Sequence, residues 1–283
     1  MDFLEKPVDE MVLIEAVSRA LDRDRTSRLR RSQMAGSREN MFTIIAAVRS
    51  LITYVVILLY IAVAGPIGLA AAVLFGAIDF LYRLGHAGIW LALMLAGIRY
   101  RVSGREHVQK SPAVYCSNHE SNVDPPVLFE VLHRRMRILY KAELHNFPLM
   151  GRILDAGGFV PVDRANRDQA FAAVEAGARS LRAGNSFLIF PEGTRSRTGE
   201  LLPFKKGGFI MAIHAQVPII PVAVRGGRDS MRKGSPIVRP VKVSVRIGEP
   251  IPTAGLTLND KDDLIRRVRS EVQRLLDAGP LWT

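Results

Sequence analysis

The chain has almost no cysteine. Cys116 is the single one among 283 residues. A disulfide framework needs paired cysteines and a thiolate metal site needs several, so both are excluded for this sequence. A papain-like nucleophile at Cys116 is open in principle, but the residue lies inside an apolar run that is typical of a buried strand.

Two hydrolase motifs are also missing. The stretch Gly184-Asn185-Ser186-Phe187-Leu188 lacks the second glycine of a serine-hydrolase nucleophile elbow. His119-Glu120-Ser121-Asn122-Val123 lacks the second histidine of a zincin helix. His119, Glu120 and Asp124 are possible metal ligands by residue type, but their spacing does not favour a site. We therefore predict neither a metal nor a cofactor.

Acidic residues are fewer than basic ones. The chain has 39 Lys and Arg against 27 Asp and Glu, which gives a formal net charge of +12. Charge alone suits nucleic acid and an anionic membrane surface equally well. No zinc-finger spacing, RNP-like aromatic strand or helix-turn-helix pattern is present. We therefore predict a membrane partner and no nucleic acid.

Charge is absent from Leu51 to Ile78, and Ile89 to Ile98 is apolar again. A membrane-spanning helix needs about 20 apolar residues, so the first run is long for one straight helix and short for two. One interpretation is a single tilted span over Leu51–Leu69. The other is a helical hairpin bent at Gly65-Pro66, where proline and glycine weaken the helix. A buried core hairpin in a soluble protein is the alternative to both.

Basic residues lie on both sides of this apolar region. Such residues mark cytoplasmic flanks, so two basic flanks favour a hairpin or shallow insertion over one crossing. We predict a membrane-embedded helical hairpin within residues 41–98. The flanking basic residues are Arg28, Arg30, Arg31, Arg38, Arg49, Arg83, Arg99 and Arg101.

The N-terminal segment has a different character. Asp2-Phe3-Leu4-Glu5-Lys6-Pro7 and the helical pattern that follows resemble the last strand and helix of a response-regulator receiver domain. The resemblance implies that Lys6 corresponds to the lysine that contacts the phosphoryl group. No acidic pocket precedes it, and one helix buries too little area to fold alone. We interpret residues 1–40 as a receiver-like remnant, from a gene fusion or a misplaced start, and a charged linker.

Residues 99–283 show apolar runs alternating with helical patterns. This alternation predicts an α/β layered domain with a largely parallel central sheet flanked by helices. Ligands of such sheets bind beyond the carboxyl ends of the strands. The predicted strands are 113–117, 137–140, 159–162, 187–190, 219–224 and 241–247; the predicted helices are 126–133, 147–155, one opened by Asn166 and closed by Gly184, 207–214 and 262–277.

Asn118-His119-Glu120-Ser121-Asn122-Val123-Asp124 follows the first of these strands. A histidine and an aspartate at a strand-to-helix turn can face each other, so that the aspartate fixes the imidazole tautomer. The outer ring nitrogen then accepts a proton from a substrate hydroxyl. His119 is the candidate general base, and Asp124 is its orienting partner.

Three further blocks follow in order: Gly158-Phe159-Val160-Pro161-Val162-Asp163-Arg164, Phe190-Pro191-Glu192-Gly193-Thr194-Arg195-Ser196 and Val217-Pro218-Ile219-Ile220-Pro221-Val222. Together with the His119 block they resemble the four-block signature of the glycerolipid acyltransferase family. The resemblance covers roughly residues 99–250. It implies that Glu192 and Gly193 take part in binding the acceptor.

Acceptor binding by this family implies a phosphate site, which needs cations and backbone amides. Arg195 and the backbone of Gly193-Thr194 offer both in a turn. Arg164 and Lys141 are further candidates, and Lys205-Lys206 extends the basic sequence. The alternative for each lone cation is a solvated surface charge, and Glu192 could instead be a salt-bridge partner of Arg195.

The resemblance implies an enzyme that moves an acyl chain from acyl-CoA or acyl-carrier protein to the free hydroxyl of a lysophospholipid. The favoured acceptor is 1-acylglycerol-3-phosphate, which gives phosphatidic acid. Two alternatives are kept: another acceptor, such as lyso-ornithine lipid or glycerol 3-phosphate, and an inactive receiver-linked regulatory protein. The expected location is the bacterial inner membrane, with the catalytic domain on the cytoplasmic face.

Overall fold

The computed structural model describes residues 10–132, 135–162, 167–196, 198–231 and 234–282. The chain divides into two compact units, Met1–Val48 and Arg49–Thr283. The described part of the first unit is the N-terminal portion of one long helix. Lys6, Arg164 and Asn166, with the interpretations attached to them, lie outside the described residues.

Helices and strands alternate through the second unit. The α-helices are α1 (Glu10–Phe75), α2 (Ile78–Ala96), α3 (Asp124–Val131), α4 (Pro148–Ala156), α5 (Arg167–Arg182), α6 (Gly207–Ala215) and α7 (Lys261–Asp277). The strands are β1 (Arg99–Ser103), β2 (Val114–Ser117), β3 (Met136–Lys141), β4 (Val160–Val162), β5 (Ser186–Ile189), β6 (Ile219–Arg225) and β7 (Lys242–Ile247). Short 3-10 helices cover Arg105–His107, Ala142–Asn146 and Leu258–Asp260.

The strands form one seven-stranded sheet in the order β1-β7-β6-β2-β5-β3-β4. All neighbours are parallel except β6 and β7, which are antiparallel. Strand β2 lies at the centre: Val114 pairs with Phe187 of β5 on one side and Ile219 of β6 on the other. The carboxyl end of β2 therefore opens onto the middle of the sheet edge where parallel-sheet ligands bind.

Both faces of the sheet are covered by helices. Successive residues of β2 alternate between two cores, with Tyr115 on the side of α2 and α3 and Cys116 on the side of α5, α6 and α7. On α7 the predicted face is fully buried, since Leu264, Val268 and Val272 are each at most 1% exposed. The predicted α/β layered fold with a largely parallel sheet is confirmed.

The apolar N-terminal helices form a hairpin, but its bend is not at Gly65-Pro66. Helix α1 continues through Pro66 to Phe75, and the chain turns at Gly76 and Ala77 before α2. Gly76 has φ +64°, a backbone conformation that costs glycine little and ends the helix. Proline removes a single helical hydrogen bond, and apolar helices tolerate that loss.

The two helices of the hairpin are in close contact. A Cβ on Gly68 would lie 2.9 Å from the Leu81 side chain, and one on Gly88 would lie 2.7 Å from the ring of Tyr60. The Tyr60 hydroxyl donates to the Leu84 carbonyl oxygen at 2.7 Å. Helices 41–75 and 78–96 are each long and apolar enough to cross a membrane, which suggests a membrane protein.

Candidate active site

His119 and Asp124 face each other at the carboxyl end of β2, as the sequence predicts. His119 Nδ1 lies 2.9 Å from Asp124 Oδ2. The same carboxylate oxygen accepts hydrogen bonds from the backbone amides of Glu120 and Ser121, both at 2.7 Å. The Asp124 side chain is completely buried, while the His119 side chain keeps 16% of its surface exposed. The pair therefore fixes the imidazole through Nδ1 and leaves part of the ring open.

The loop before His119 is tied to the neighbouring strand by a side-chain amide. Asn118 Nδ2 donates to the Val224 carbonyl oxygen at 2.8 Å, and its Oδ1 accepts from the Val224 amide at 2.7 Å. Asn118 is only 2% exposed. This double hydrogen bond replaces the backbone pairing that β2 can no longer make beyond Ser117 and fixes where His119 leaves the sheet.

Glu192 supports His119 from the other side. Its Oε1 accepts from the His119 amide at 2.8 Å and its Oε2 from the Leu202 amide at 3.0 Å. The residue is 3% exposed, and burial raises the pKa of its carboxyl. Because both oxygens bind backbone amides within the protein, the geometry favours a positioning role for Glu192 over direct acceptor contact.

The turn Gly193–Arg195 lies next to the histidine. The Ser196 amide donates to the His119 carbonyl oxygen at 2.8 Å, and the imidazole stacks on Phe190 with ring centres 4.3 Å apart. Gly193 has φ +69°, and a Cβ there would lie 2.8 Å from Nζ of Lys205. The turn with the exposed Thr194 and the half-buried Arg195 therefore follows β5 at the same sheet edge as His119, and the Lys205 ammonium lies against Gly193.

Lys141 and Arg164 are the other two predicted phosphate contacts. Lys141 is the last residue of β3, and its backbone pairs with Val162 of β4. This places Lys141 at the carboxyl edge of the sheet, two strands away from β2. Arg164 follows β4 and lies outside the described residues. Both remain predictions.

Gly227, which the sequence analysis missed, borders the histidine–aspartate pair. A Cβ on this residue would lie 2.5 Å from Asp124 Oδ1 and 3.3 Å from the Ser121 Cβ. Asp124 Oδ1 is buried and makes no hydrogen bond within the described residues. Position 227 therefore accommodates glycine, whereas any side chain there would collide with the Asp124 carboxylate. No local pattern around Gly226-Gly227 signals this contact.

Glu120 lines a polar cavity of about 700 Å³ together with Arg225 and Arg228. Burial, with a smaller contribution from the Asp124 charge, raises the pKa of its carboxyl to about 7. The Gly226 amide donates to this carboxyl and opposes the shift. Glu120 is consequently a partly buried carboxyl whose pKa lies near neutral pH.

Cys116 is unsuited to nucleophilic catalysis. It is completely buried inside β2, and burial together with the nearby Glu192 charge raises the pKa of its thiol well above the usual range. The described residues also hold no group of three His, Cys, Asp or Glu side chains that could bind a metal ion. His119 and Asp124 remain the candidate acid–base pair at this edge.

An apolar cavity of about 400 Å³ lies between the hairpin and the sheet domain. It is lined by side chains of α1, α2, α3 and α4, almost all of them hydrocarbon. Pro125 and Pro126, which directly follow Asp124, form part of its wall. Other lining residues are Ile61, Ala64, Leu81, Phe129, Ile153 and Phe159. The cavity thus begins one residue beyond the catalytic candidate.

Comparison with known proteins identifies the family of the chain. The family model described as Acyltransferase matches residues 99–225, which contain His119, Asp124, Glu192 and the Gly193–Arg195 turn. The 1-acyl-sn-glycerol-3-phosphate acyltransferase of Limnanthes douglasii is 34% identical over 196 residues, covering 69% of each chain. The chain belongs to the glycerolipid acyltransferase family. It is accordingly an O-acyltransferase.

Two further relatives extend this result. The human 1-acyl-sn-glycerol-3-phosphate acyltransferase beta is 36% identical over 171 residues, 60% of this chain and 62% of the human one. The crystal structure of PlsC, the 1-acyl-sn-glycerophosphate acyltransferase of Thermotoga maritima, superposes with a TM-score of 0.74 at 25% identity. That match covers 84% of this chain and 97% of the Thermotoga chain, so the likeness includes the helices before the sheet domain.

Proposed function

We propose that the enzyme transfers an acyl chain from acyl-CoA or acyl-carrier protein to the free hydroxyl of 1-acylglycerol-3-phosphate, which gives phosphatidic acid. The observation that carries the proposal is the buried His119–Asp124 pair set directly beside the Gly193–Arg195 turn. The names of the related enzymes support the acceptor.

The chemistry follows from the imidazole geometry. Asp124 accepts the Nδ1 proton of His119, so Nε2 carries the free lone pair. Nε2 takes the proton of the acceptor hydroxyl while the hydroxyl oxygen attacks the thioester carbonyl carbon. The tetrahedral intermediate then collapses, the C–S bond breaks, and the thiolate takes the proton back from the imidazolium. No enzyme nucleophile is needed, which agrees with the burial of Cys116.

The acceptor phosphate is assigned to the turn. Arg195 supplies a planar cation, and the amides of Gly193-Thr194 supply neutral donors at a glycine that allows close approach. Lys205 adds a second cation against Gly193. Lys141 and Arg164 are proposed as outer contacts of the same edge. Within this proposal Glu192 and Gly193 serve acceptor binding by shaping the turn.

The apolar cavity is assigned to an acyl chain. Its volume of about 400 Å³ lies in the range of ligand sites, and its wall offers almost no hydrogen-bonding group. Because Pro125 and Pro126 line it, a chain inside it ends close to His119. The hairpin supplies one wall, so the same helices that suit a bilayer also complete the chain-binding site.

The location that fits this chemistry is a membrane surface. Helices α1 and α2 expose apolar side chains such as Leu58 and Val63, both above 60% exposed, and the chain carries a net charge of +12. Apolar insertion and attraction to anionic lipids then act together. We assign the protein to the bacterial inner membrane with its sheet domain on the cytoplasmic side.

The histidine is tested with a matched control. His119→Ala in the full chain should lower kcat on 1-acylglycerol-3-phosphate by at least about 100-fold, because general-base catalysis contributes about 10²–10⁴-fold. His214→Ala is the control: His214 Nδ1 also pairs with a carboxylate, Glu175 at 2.7 Å, but on α6 away from the sheet edge. It should stay within about threefold of the parent. Equal losses in both variants would refute the assignment of His119.

A further inference from the structure

The sheet domain exposes large apolar side chains outside the hairpin. Leu144 is 45% exposed in the 3-10 helix Ala142–Asn146, and Phe147, just before α4, is 63% exposed. Glu143, His145 and Asn146 are the other side chains between positions 143 and 147, so the two apolar side chains stand on one short, otherwise polar segment. We call residues 142–147 the α4 lip. A single exposed apolar residue needs no explanation, but a pair beside another apolar surface does.

The α4 lip leads into a helix that packs on the hairpin. A Cβ on Gly65 of α1 would lie 3.1 Å from the Ile153 side chain and 3.7 Å from that of Leu149, so α4 packs directly on α1. Further along the two helices, a groove is lined by Val73 and Leu74 of α1 together with Leu149 and Arg152 of α4. The beginning of α4 and the end of α1 therefore share one face of the molecule.

That part of α1 is strongly apolar and open. Val73, Leu74 and Phe75 are 69%, 71% and 81% exposed. Because α4 packs on α1, the α4 lip that leads into α4 lies on the hairpin side of the sheet domain, as these side chains do. A bilayer is the partner that fits an apolar surface continuous with two helices of membrane-spanning length in a chain of net charge +12.

We propose that the α4 lip is a second membrane contact, with Leu144 and Phe147 inserted at the boundary between lipid head groups and acyl chains. The proposal rests on the proposed function only for the membrane setting of the reaction. This contact would keep the sheet domain against the membrane surface beside the hairpin. Since Ile153 and Gly65 line the apolar cavity, this contact keeps the chain-binding site at lipid depth. An acceptor could then move from the bilayer into the site without crossing water.

Insertion is tested by site-selective labelling. Cys116 is completely buried, so an introduced cysteine is the thiol open to a reagent among the described residues. Leu144→Cys, Phe147→Cys and Leu258→Cys each carry a polarity-sensitive fluorophore in the full chain. Leu258 is the matched control, because it is also 45% exposed and also in a 3-10 helix, but lies before α7.

The probe is a vesicle of phosphatidylcholine and phosphatidylglycerol with brominated acyl chains. Labels at Leu144 and Phe147 should shift to shorter wavelength and lose at least about half their intensity to bromine quenching, whereas a label at Leu258 should stay unquenched. A similar wavelength shift and similar quenching at all three positions would overturn the proposal. A shift at Leu144 that depends on protein concentration and not on lipid would assign the lip to a second copy and also overturn it.

The functional arm uses Leu144→Ser combined with Phe147→Ser. Activity on acceptor embedded in vesicles should fall at least about tenfold, while activity on acceptor dispersed in detergent should stay within about twofold. Equal losses in both assays would show a structural or catalytic role and reject the lip as a lipid contact. If the parent chain acylates no lysolipid in either assay, the proposed function fails, and the quenching result still decides the membrane contact.

Discussion

Gly227 offers the sharpest test of the histidine–aspartate geometry, because the residue touches the pair without taking part in the chemistry. Its φ is not positive, so alanine can adopt the same backbone conformation. The added Cβ would lie 2.5 Å from Asp124 Oδ1, whereas a relaxed contact needs about 3.4 Å. Gly227→Ala therefore forces a displacement of almost 1 Å at the carboxylate or at its own backbone.

The carboxylate has little freedom to absorb this displacement. Its Oδ2 is held by the imidazole and by the amides of Glu120 and Ser121, and the Ser121 Cβ would itself be only 3.3 Å from the new methyl group. A misplacement of about 1 Å at catalytic groups can cost about 10²-fold in rate. We expect kcat to fall by about that factor with a change in acceptor KM below about threefold.

The assay is steady-state kinetics of four proteins: the parent, Gly227→Ala, Asp124→Asn and the double variant. If Gly227 acts through Asp124, the two losses will not add, and the double variant will be no slower than Asp124→Asn by more than about threefold. Gly207→Ala is the control glycine, because its nearest neighbour, Val174, would be at an ordinary 3.4 Å.

Two results would contradict the reasoning. Near-parental kcat in Gly227→Ala would mean that the loop yields and that the Asp124 position is not critical. Multiplicative losses in the double variant would mean that Gly227 acts by another route. A thermal unfolding curve recorded for each variant separates both outcomes from general loss of structure.

Three further predictions concern the phosphate site, the apolar cavity and the Glu120 carboxyl. Arg195→Ala should raise the acceptor KM at least about tenfold with a smaller change in kcat, and Lys205→Ala should raise it less; an unchanged KM in both would move the phosphate elsewhere. Ala64→Phe should shift acyl preference towards shorter chains, measured with donors of graded length, whereas Ala62→Phe, on the exposed side of α1, should not. Because the pKa of Glu120 is raised to about 7 in the folded chain, its cost to stability grows as the pH rises from the ordinary carboxyl value of about 4.5 and is complete above about pH 7. Glu120→Gln should therefore stabilise the protein at pH 8 by about 1–3 kcal/mol and much less at pH 5, measured by denaturant unfolding.

The alternation of apolar runs and helical patterns was enough to predict the central strands and α3 to α7. Strand β1 was missed because its Arg99–Ser103 sequence alternates charged and apolar residues on an edge strand, which a search for apolar runs overlooks. Strand β7 pairs antiparallel with β6, and the sequence of neither strand indicates that direction. The predicted bend at Gly65-Pro66 was wrong. The chain turns instead at Gly76, and the sequence does not show that this glycine adopts a positive φ.

The site was predictable only where its residues share one local motif. His119 and Asp124 lie five positions apart on one loop, so their pairing follows from local geometry. Glu192 meets the His119 amide across 73 residues, and Gly227 reaches Asp124 from the loop after β6. Such contacts depend on the strand order, which a single sequence does not reveal.

The central position of β2 also affects the order in which the growing chain can fold. Its partner β6 begins 105 positions later, since Val114 pairs with Ile219. At about 5–20 residues per second, ribosomal synthesis needs roughly 5–20 s to supply that partner. The hairpin is finished before this interval begins, so it can enter lipid while the sheet is still half built. Acyltransfer would then start only in molecules already delivered to their substrate.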